Sequence, residues 1–223
     1  MPTSTVEDYL KAIWLEEQRR PGQRVSTGLV AGALGVTPGT ATAMVKTLSD
    51  SGLLTYEPYA GVRLTPAGVQ LAMHVLRRHR LVELFLVEVM GMSWSEVHGE
   101  AEILEHAVSD RLIERIDEML GRPVSDPHGD PIPTPHGTFH PEDEQVALTD
   151  TPLDVDVSIS RVVDQRPEFL RLLESAGLRP GRRVRVTARD PLADTVEILP
   201  ERGAALRLGF RAASRVLVLK ERA

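Results

Sequence analysis

The apolar residues Val6, Tyr9, Leu10 and Ile13 recur at three- and four-residue steps, which predicts an amphipathic helix from about Thr5 to Gln18. Ser4 and Glu7 ahead of it have the spacing of a capping box, and Pro21-Gly22 stops it. Val25 to Leu34 reads as a short second helix with Leu29, Val30, Ala33 and Leu34 inward, followed by a turn at Gly35-Val36. Thr37 is placed to cap a third helix. That helix opens with Pro38, where a missing N–H costs nothing, and runs to about Ser51 before Gly52 ends it. Leu53–Tyr56 and Val62–Thr65, on either side of Tyr59-Ala60-Gly61, predict a hairpin. Helix, helix, tight turn, helix and hairpin is the order of a winged helix-turn-helix.

From Pro66 the helical period resumes through Leu71, Val75, Leu76, Leu81, Leu84, Phe85, Val89 and Met90 until Gly91. A second long helix is predicted from about Ser95 to Leu120, apolar at Val97, Ala101, Leu104, Val108, Leu112, Ile113, Ile116 and Leu120. Two helices this apolar either build an internal core or form a dimer interface, and the habit of operator-reading proteins to pair favours the interface. Gly121–Pro152 is rich in Pro, Gly, Asp and Thr without a period, and reads as a linker. Short apolar runs at 155–159, 183–187, 195–199, 205–208 and 215–219, with a brief helix around Pro167–Ser175, predict a small antiparallel barrel. The predicted fold is mainly α with a small β domain. It comprises a winged helix-turn-helix over 1–72, a helical region over 73–140, a linker over 141–152 and a small antiparallel barrel over 153–223.

The 223 residues include no cysteine, which excludes disulfides and thiolate ligands and leaves histidine nitrogen and carboxylate oxygen for any metal. No apolar run follows a basic start and no long uncharged stretch occurs. Neither a signal peptide nor a membrane span is therefore predicted, and the expectation is a soluble, cytoplasmic protein. The net charge of −6 is unevenly spread: residues 1–80 sum to +3, residues 81–140 to −9 and the rest to zero. This divides the chain into a DNA-facing part and a carboxylate-rich, cation-seeking part, unless the acidic residues are only solvated helix faces.

The histidines weigh against solvated faces. On a helix turning about 100° per residue, His98, Glu102, Glu105 and His106 fall within an arc of roughly 100°. His79 and Glu83, four apart on the preceding helix, make a second pair that antiparallel packing could bring against the first. Any one of these glutamates is more often a solvated side chain, but six such groups on two helices favour a transition-metal site. His74 reads as an exposed or boundary helix residue, and His128, His136 and His140 as solvated linker residues. No H-E-x-x-H occurs and no nucleophile-plus-base arrangement stands out, so catalysis is the weaker reading.

The helix-turn-helix and wing, His79-Arg-Leu-Val-Glu83, Val97-His98-x-Glu100-x-Glu102-x-x-Glu105-His106 and Gly129-Asp-Pro-Ile-Pro133 together resemble the diphtheria-toxin-repressor family of iron- and manganese-dependent regulators. The resemblance covers nearly the whole chain. It implies a homodimer with two metal positions per subunit, a central dimerisation and metal-binding domain, and a C-terminal SH3-like domain of the FeoA type. It also implies a repressor of metal-homeostasis genes that binds double-stranded operator DNA when loaded with metal. The implied primary ligands are Asp8, Glu102, Glu105 and His106. The implied ancillary ligands are His79, Glu83 and His98, with Gln165 and Glu168 from the stretch Asp164–Glu168. Iron-responsive members carry Met and Cys where Asp8 and Glu102 stand, whereas manganese-responsive members carry carboxylates. The resemblance therefore implies Mn²⁺, with Fe²⁺ as the alternative. Lys11 departs from the acidic residue that two-domain manganese members have at that position.

For DNA contact the third helix offers Thr37, Pro38, Gly39, Thr40, Thr42, Ala43 and Lys46. It is poor in Arg, Asn and Gln, so methyl contacts with thymine and DNA shape should outweigh base hydrogen bonds. Lys46 and the wing residue Arg63 are the phosphate candidates, unless each is an ordinary solvated cation. Two rival readings are a metalloenzyme in which the helix-turn-helix is a relic, and a regulator that senses a small organic ligand.

Overall fold

The computed structural model describes residues 3–141 and 143–219. They form two compact units. The first takes the chain up to His79 together with Glu105–Val108 and Pro133–Phe139; the second takes Arg80–Leu104, Ser109–Ile132 and the chain from His140 onward.

In the first unit α1 spans Ser4–Arg19, and its cap is Thr3, whose hydroxyl accepts from the Val6 N–H at 3.4 Å. The expected capping box of Ser4 and Glu7 does not form, because Ser4 is already inside the helix and Glu7 turns to other partners. Helix α2, Thr27–Leu34, starts at the cap Ser26 rather than at Val25, which instead exchanges two backbone hydrogen bonds with Val62 at 3.0 and 2.8 Å. Gly35, at φ 63°, ends α2 in the left-handed conformation that glycine tolerates. The chain then bends by 110° into α3, Pro38–Asp50, capped by Thr37 with proline in the first turn. Strands β1, Leu54–Glu57, and β2, Gly61–Leu64, pair antiparallel as the wing. Leu10, Ile13, Val30, Val45, Leu48 and Val62 form the core, joined by Met73 and Leu76. Trp14 lies against Phe139 with ring centroids 5.8 Å apart.

Met73 and Leu76 belong to α4, Pro66–Glu88, in which every residue from Val75 to Glu83 is buried. Burying charge requires partners. In the first unit Arg77 donates to the Pro133 carbonyl at 2.9 Å and Arg78 lies 3.5 Å from Glu7. In the second, Arg80 reaches Asp126 at 3.8 Å and Asp130 at 3.6 Å.

The long helix expected over Ser95–Leu120 is two helices, α5 at Val97–Leu104 and α6 at Asp110–Met119. Ser109 starts the second by accepting from the Leu112 N–H, a local hydrogen bond that competes with continuation of the helix. The apolar period runs across the break because both helices bury one face, through Val97 and Ala101 and then Ile113 and Ile116. Glu105 and His106 therefore leave the helix face assigned to them.

The stretch read as a linker is partly ordered. Asp126 Oδ1 accepts from the backbone N–H of His128 at 2.8 Å and of Asp130 at 2.9 Å, a side-chain-closed turn. His128, expected to be solvated, is buried, with its ring 5.6 Å from Trp94 and nearly parallel to it. Arg179 covers Trp94 at 5.4 Å. Strand β3, Gln145–Ala147, also lies in the expected linker and is too short to show alternation.

The remaining elements are β4 (Asp156–Val162), α7 (Pro167–Ser175), β5 (Arg183–Asp190), β6 (Thr195–Pro200), β7 (Leu206–Gly209), α8 (Phe210–Ala213) and β8 (Val216–Leu219). The strands form one antiparallel sheet in the order β3-β8-β4-β5-β6-β7 around Ile159, Leu173, Val186, Ile198 and Val218. Among the described residues no single helix is long and apolar enough to cross a membrane.

Gly129, at φ 87°, packs so tightly that an added Cβ would sit 2.0 Å from the Ser160 carbonyl oxygen. Gly129→Ala should lower stability by about 2 kcal/mol or more in chemical denaturation, through left-handed strain plus overlap with backbone.

Candidate metal centre and DNA-facing surface

Asp8 and Lys11 stand three apart on α1 and so share a helix face. Opposite them, in the same unit, the turn after α5 supplies Glu105 and His106. The His106 ring lies between two carboxylates, Nδ1 at 2.7 Å from Glu7 and Nε2 at 2.8 Å from Asp8. Each ring nitrogen faces a carboxylate oxygen at hydrogen-bond distance, an arrangement that favours the protonated ring. Burial alone pushes the imidazole down, but the hydrogen bond with Glu7 and the charges of Glu105 and Asp8 outweigh it and hold the group above its ordinary 6.5. Burial also raises the Asp8 carboxyl above its ordinary 3.8, against the pull of His106 and Lys11.

Glu105 has no exposed surface. Its Oε1 accepts from Lys11 Nζ at 2.6 Å and lies 3.3 Å from His106 Nε2, while Oε2 is 2.5 Å from His79 Nδ1. Asp8, Glu105 and His106 each present a ligand atom within 4.8 Å of the other two. One imidazole and two carboxylates, brought together on a metal-ion scale, fit a divalent cation of intermediate hardness.

The second unit contains another set. Glu83 on α4 is 3.1 Å from His98 Nδ1 on α5, and His98 Nε2 is 3.7 Å from Glu102. On its other side Glu83 lies 3.8 Å from His128 Nδ1, which is 3.9 Å from Asp126. His128 Nε2 donates to the Trp94 carbonyl at 2.9 Å, and its buried Nδ1 has no hydrogen-bond partner among the described residues. Burial pushes the Asp126 carboxyl well up, helped by Asp130 and Glu83. Glu83, Asp126 and His128 could also hold a cation.

Among the residues expected to ligate, Asp8, Glu105 and His106 come together in the first unit, and His79 turns to Glu105. Glu83, His98 and Glu102 belong to the second. Gln165 donates to Asp130 at 2.9 Å, and Glu168 is exposed on the first turn of α7. Sequence reasoning missed Glu7, read as a cap, and Asp126 with His128, read as linker. The run Asp126-Pro-His-Gly-Asp130 has the residues of a side-chain-closed turn and was the available signal.

On α3, Thr37, Pro38, Gly39, Thr40, Ala43 and Lys46 are exposed and Thr42 is half-buried. The hydroxyls are already engaged: Thr37 with Thr40 at 2.9 Å, and Thr42 donating to the Pro38 carbonyl at 2.8 Å. In the wing, exposed Arg63 donates to the Gly22 carbonyl at 2.7 Å.

Residues 1–62 match the model of the iron-dependent repressor N-terminal DNA-binding domain. Residues 65–134 match that family's metal-binding and dimerisation domain, and residues 146–220 match the FeoA domain. A solved manganese-dependent transcriptional repressor in complex with manganese is 39% identical, with 97% of this chain and 100% of that one covered and a TM-score of 0.83. The solved IdeR of T. acidophilum is 28% identical over 99% of this chain and 100% of that one, with a TM-score of 0.74. The regulator MntR of Lysinibacillus sphaericus is 37% identical over 120 residues, which is 54% of this chain and 84% of that protein. The chain belongs to the iron-dependent repressor family of metal-responsive transcriptional regulators, that of the diphtheria toxin repressor, and carries its DNA-binding, metal-binding and FeoA-type domains in order.

Proposed function

We propose that this chain is a manganese-responsive transcriptional repressor of metal-homeostasis genes that binds operator DNA as a homodimer. The observation that carries the reading is the convergence of Asp8, Glu105 and His106 in the unit that also holds the helix-turn-helix. A bound divalent cation would take the place of a proton on His106 and draw the two carboxylates and the imidazole onto one centre. Nitrogen and oxygen donors without any thiolate favour Mn²⁺ over softer ions, and the similar solved manganese repressor supports manganese over Fe²⁺.

Asp8 holds the reading unit's first helix, and Glu105 and His106 hold the turn after α5, so the three residues fix α1 against that turn. The family resemblance adds Glu102 to this first set. It assigns His79, Glu83 and His98 to a second, with Gln165 and Glu168 from the third domain, and the positions of Asp126 and His128 next to Glu83 support extending that set to them. Pairing is supported by apolar side chains left open on the second unit, Ile103 at 69%, Leu112 at 51% and Met119 at 66% exposure. In such a pair the two α3 helices read successive major grooves, with Lys46 and Arg63 on phosphates.

The decisive measurement is a gel shift of apo-protein against duplexes selected from random-sequence DNA by the manganese-loaded form. Asp8→Ala should abolish manganese-dependent retention while leaving the thermal midpoint of the metal-free protein nearly unchanged; a full manganese response in that variant would overturn the assignment. Lys46→Ala should weaken binding to all sequences alike and reduce the salt slope by about 1. Without metal, the raised His106 pKa means that its contribution to stability is complete below 6.5 and is lost as pH rises through the higher folded-state value. Glu7→Gln should bring the His106 midpoint in a proton NMR titration back down.

A further inference from the structure

We infer that Lys11 is a resident counter-ion of the first cluster, whose ammonium competes with the divalent cation for Glu105 and thereby sets how much metal the switch needs. The inference rests on the functional reading above and concerns the metal-free state it leaves open.

Glu105 is wholly buried, and Lys11 is only 6% exposed. A carboxylate taken out of water needs a positive partner, and Lys11 Nζ at 2.6 Å supplies one within the protein. The oxygen it holds, Oε1, is the one that lies 3.3 Å from His106 Nε2, on the side where Asp8 and His106 present their own ligand atoms. The ammonium and an incoming cation therefore seek the same oxygen. The Lys11 charge also acts on Asp8, so it biases two of the three donors.

Two like charges a few ångströms apart in a poorly solvated pocket disfavour each other. A lysine is suited to yield: its charge is a compact point on a flexible stem, whereas a guanidinium would hold the carboxylate by a rigid fork. Lys11 therefore stabilises the metal-free protein and weakens its hold on metal. An ordinary structural ion pair would stabilise both states.

That difference in sign is the test. In the full chain, Lys11→Met keeps the apolar stem and removes the charge. Calorimetric titration with Mn²⁺ should show affinity raised about tenfold, a typical coupling between two linked equilibria. The thermal midpoint in chelator should fall by about 4 °C or more, and saturating Mn²⁺ should restore it to the unmodified protein's value. Unchanged or weaker affinity, or a midpoint lowered equally with and without Mn²⁺, overturns the inference. Lys11→Arg, which preserves the charge, should bind Mn²⁺ more weakly than the unmodified protein, and equal or tighter binding by it also counts against the idea. An unmodified chain that takes up no Mn²⁺ would instead overturn the functional reading, a result distinguishable from the others.

Discussion

A carboxyl group with no access to water needs close hydrogen-bonding and charged partners, and Glu105 is such a group. Lys11 comes to it from the first helix and His79 from the fourth, while His106 follows it in the chain. Each partner is drawn from a different part of the chain, so one side chain organises the polar contacts of the first unit. The break between α5 and α6 serves the same end, because a continuous helix would keep Glu105 and His106 on the regular face that continues from His98 and Glu102. Hydrophobic burial builds each core; within the first unit this polar cluster decides which charges meet.

The acidic surplus of residues 81–140 takes on a different meaning in the folded chain. Glu83, Glu105, Asp117 and Asp126 are buried, so much of that negative charge is not a solvated face. Arg80 and Lys11 offset part of it within their own units. Internal carboxylates gathered with histidines in this way mark a candidate cation site rather than a solvated face.

The helix-turn-helix was legible because its punctuation is local. Thr37 and Pro38 start α3, Gly35 ends α2, and Gly61 opens β2, each through chemistry within a few residues. The α5–α6 break was illegible to periodicity, since Val97, Ala101, Ile113 and Ile116 keep the apolar rhythm on both sides of it. Burial of His128 depends on Trp94, far away in sequence, and Glu7 had a plausible local task that concealed its long-range one. The candidate ligands were legible as residue types, and the resemblance already set Asp8 beside Glu105 and His106; the contact of His79 with Glu105 was not legible, because it arises through tertiary packing rather than helical spacing.

The first compact unit is not one stretch of chain: Glu105–Val108 and Pro133–Phe139 return to it from far downstream. A fragment cut after the wing would keep α3 and Asp8 yet lack Glu105 and His106, and with them the pocket proposed to hold the cation. Such interleaving makes the two abilities hard to separate by recombination. A lineage that borrowed this DNA-binding module whole would carry the downstream segments and the proposed pocket along with it.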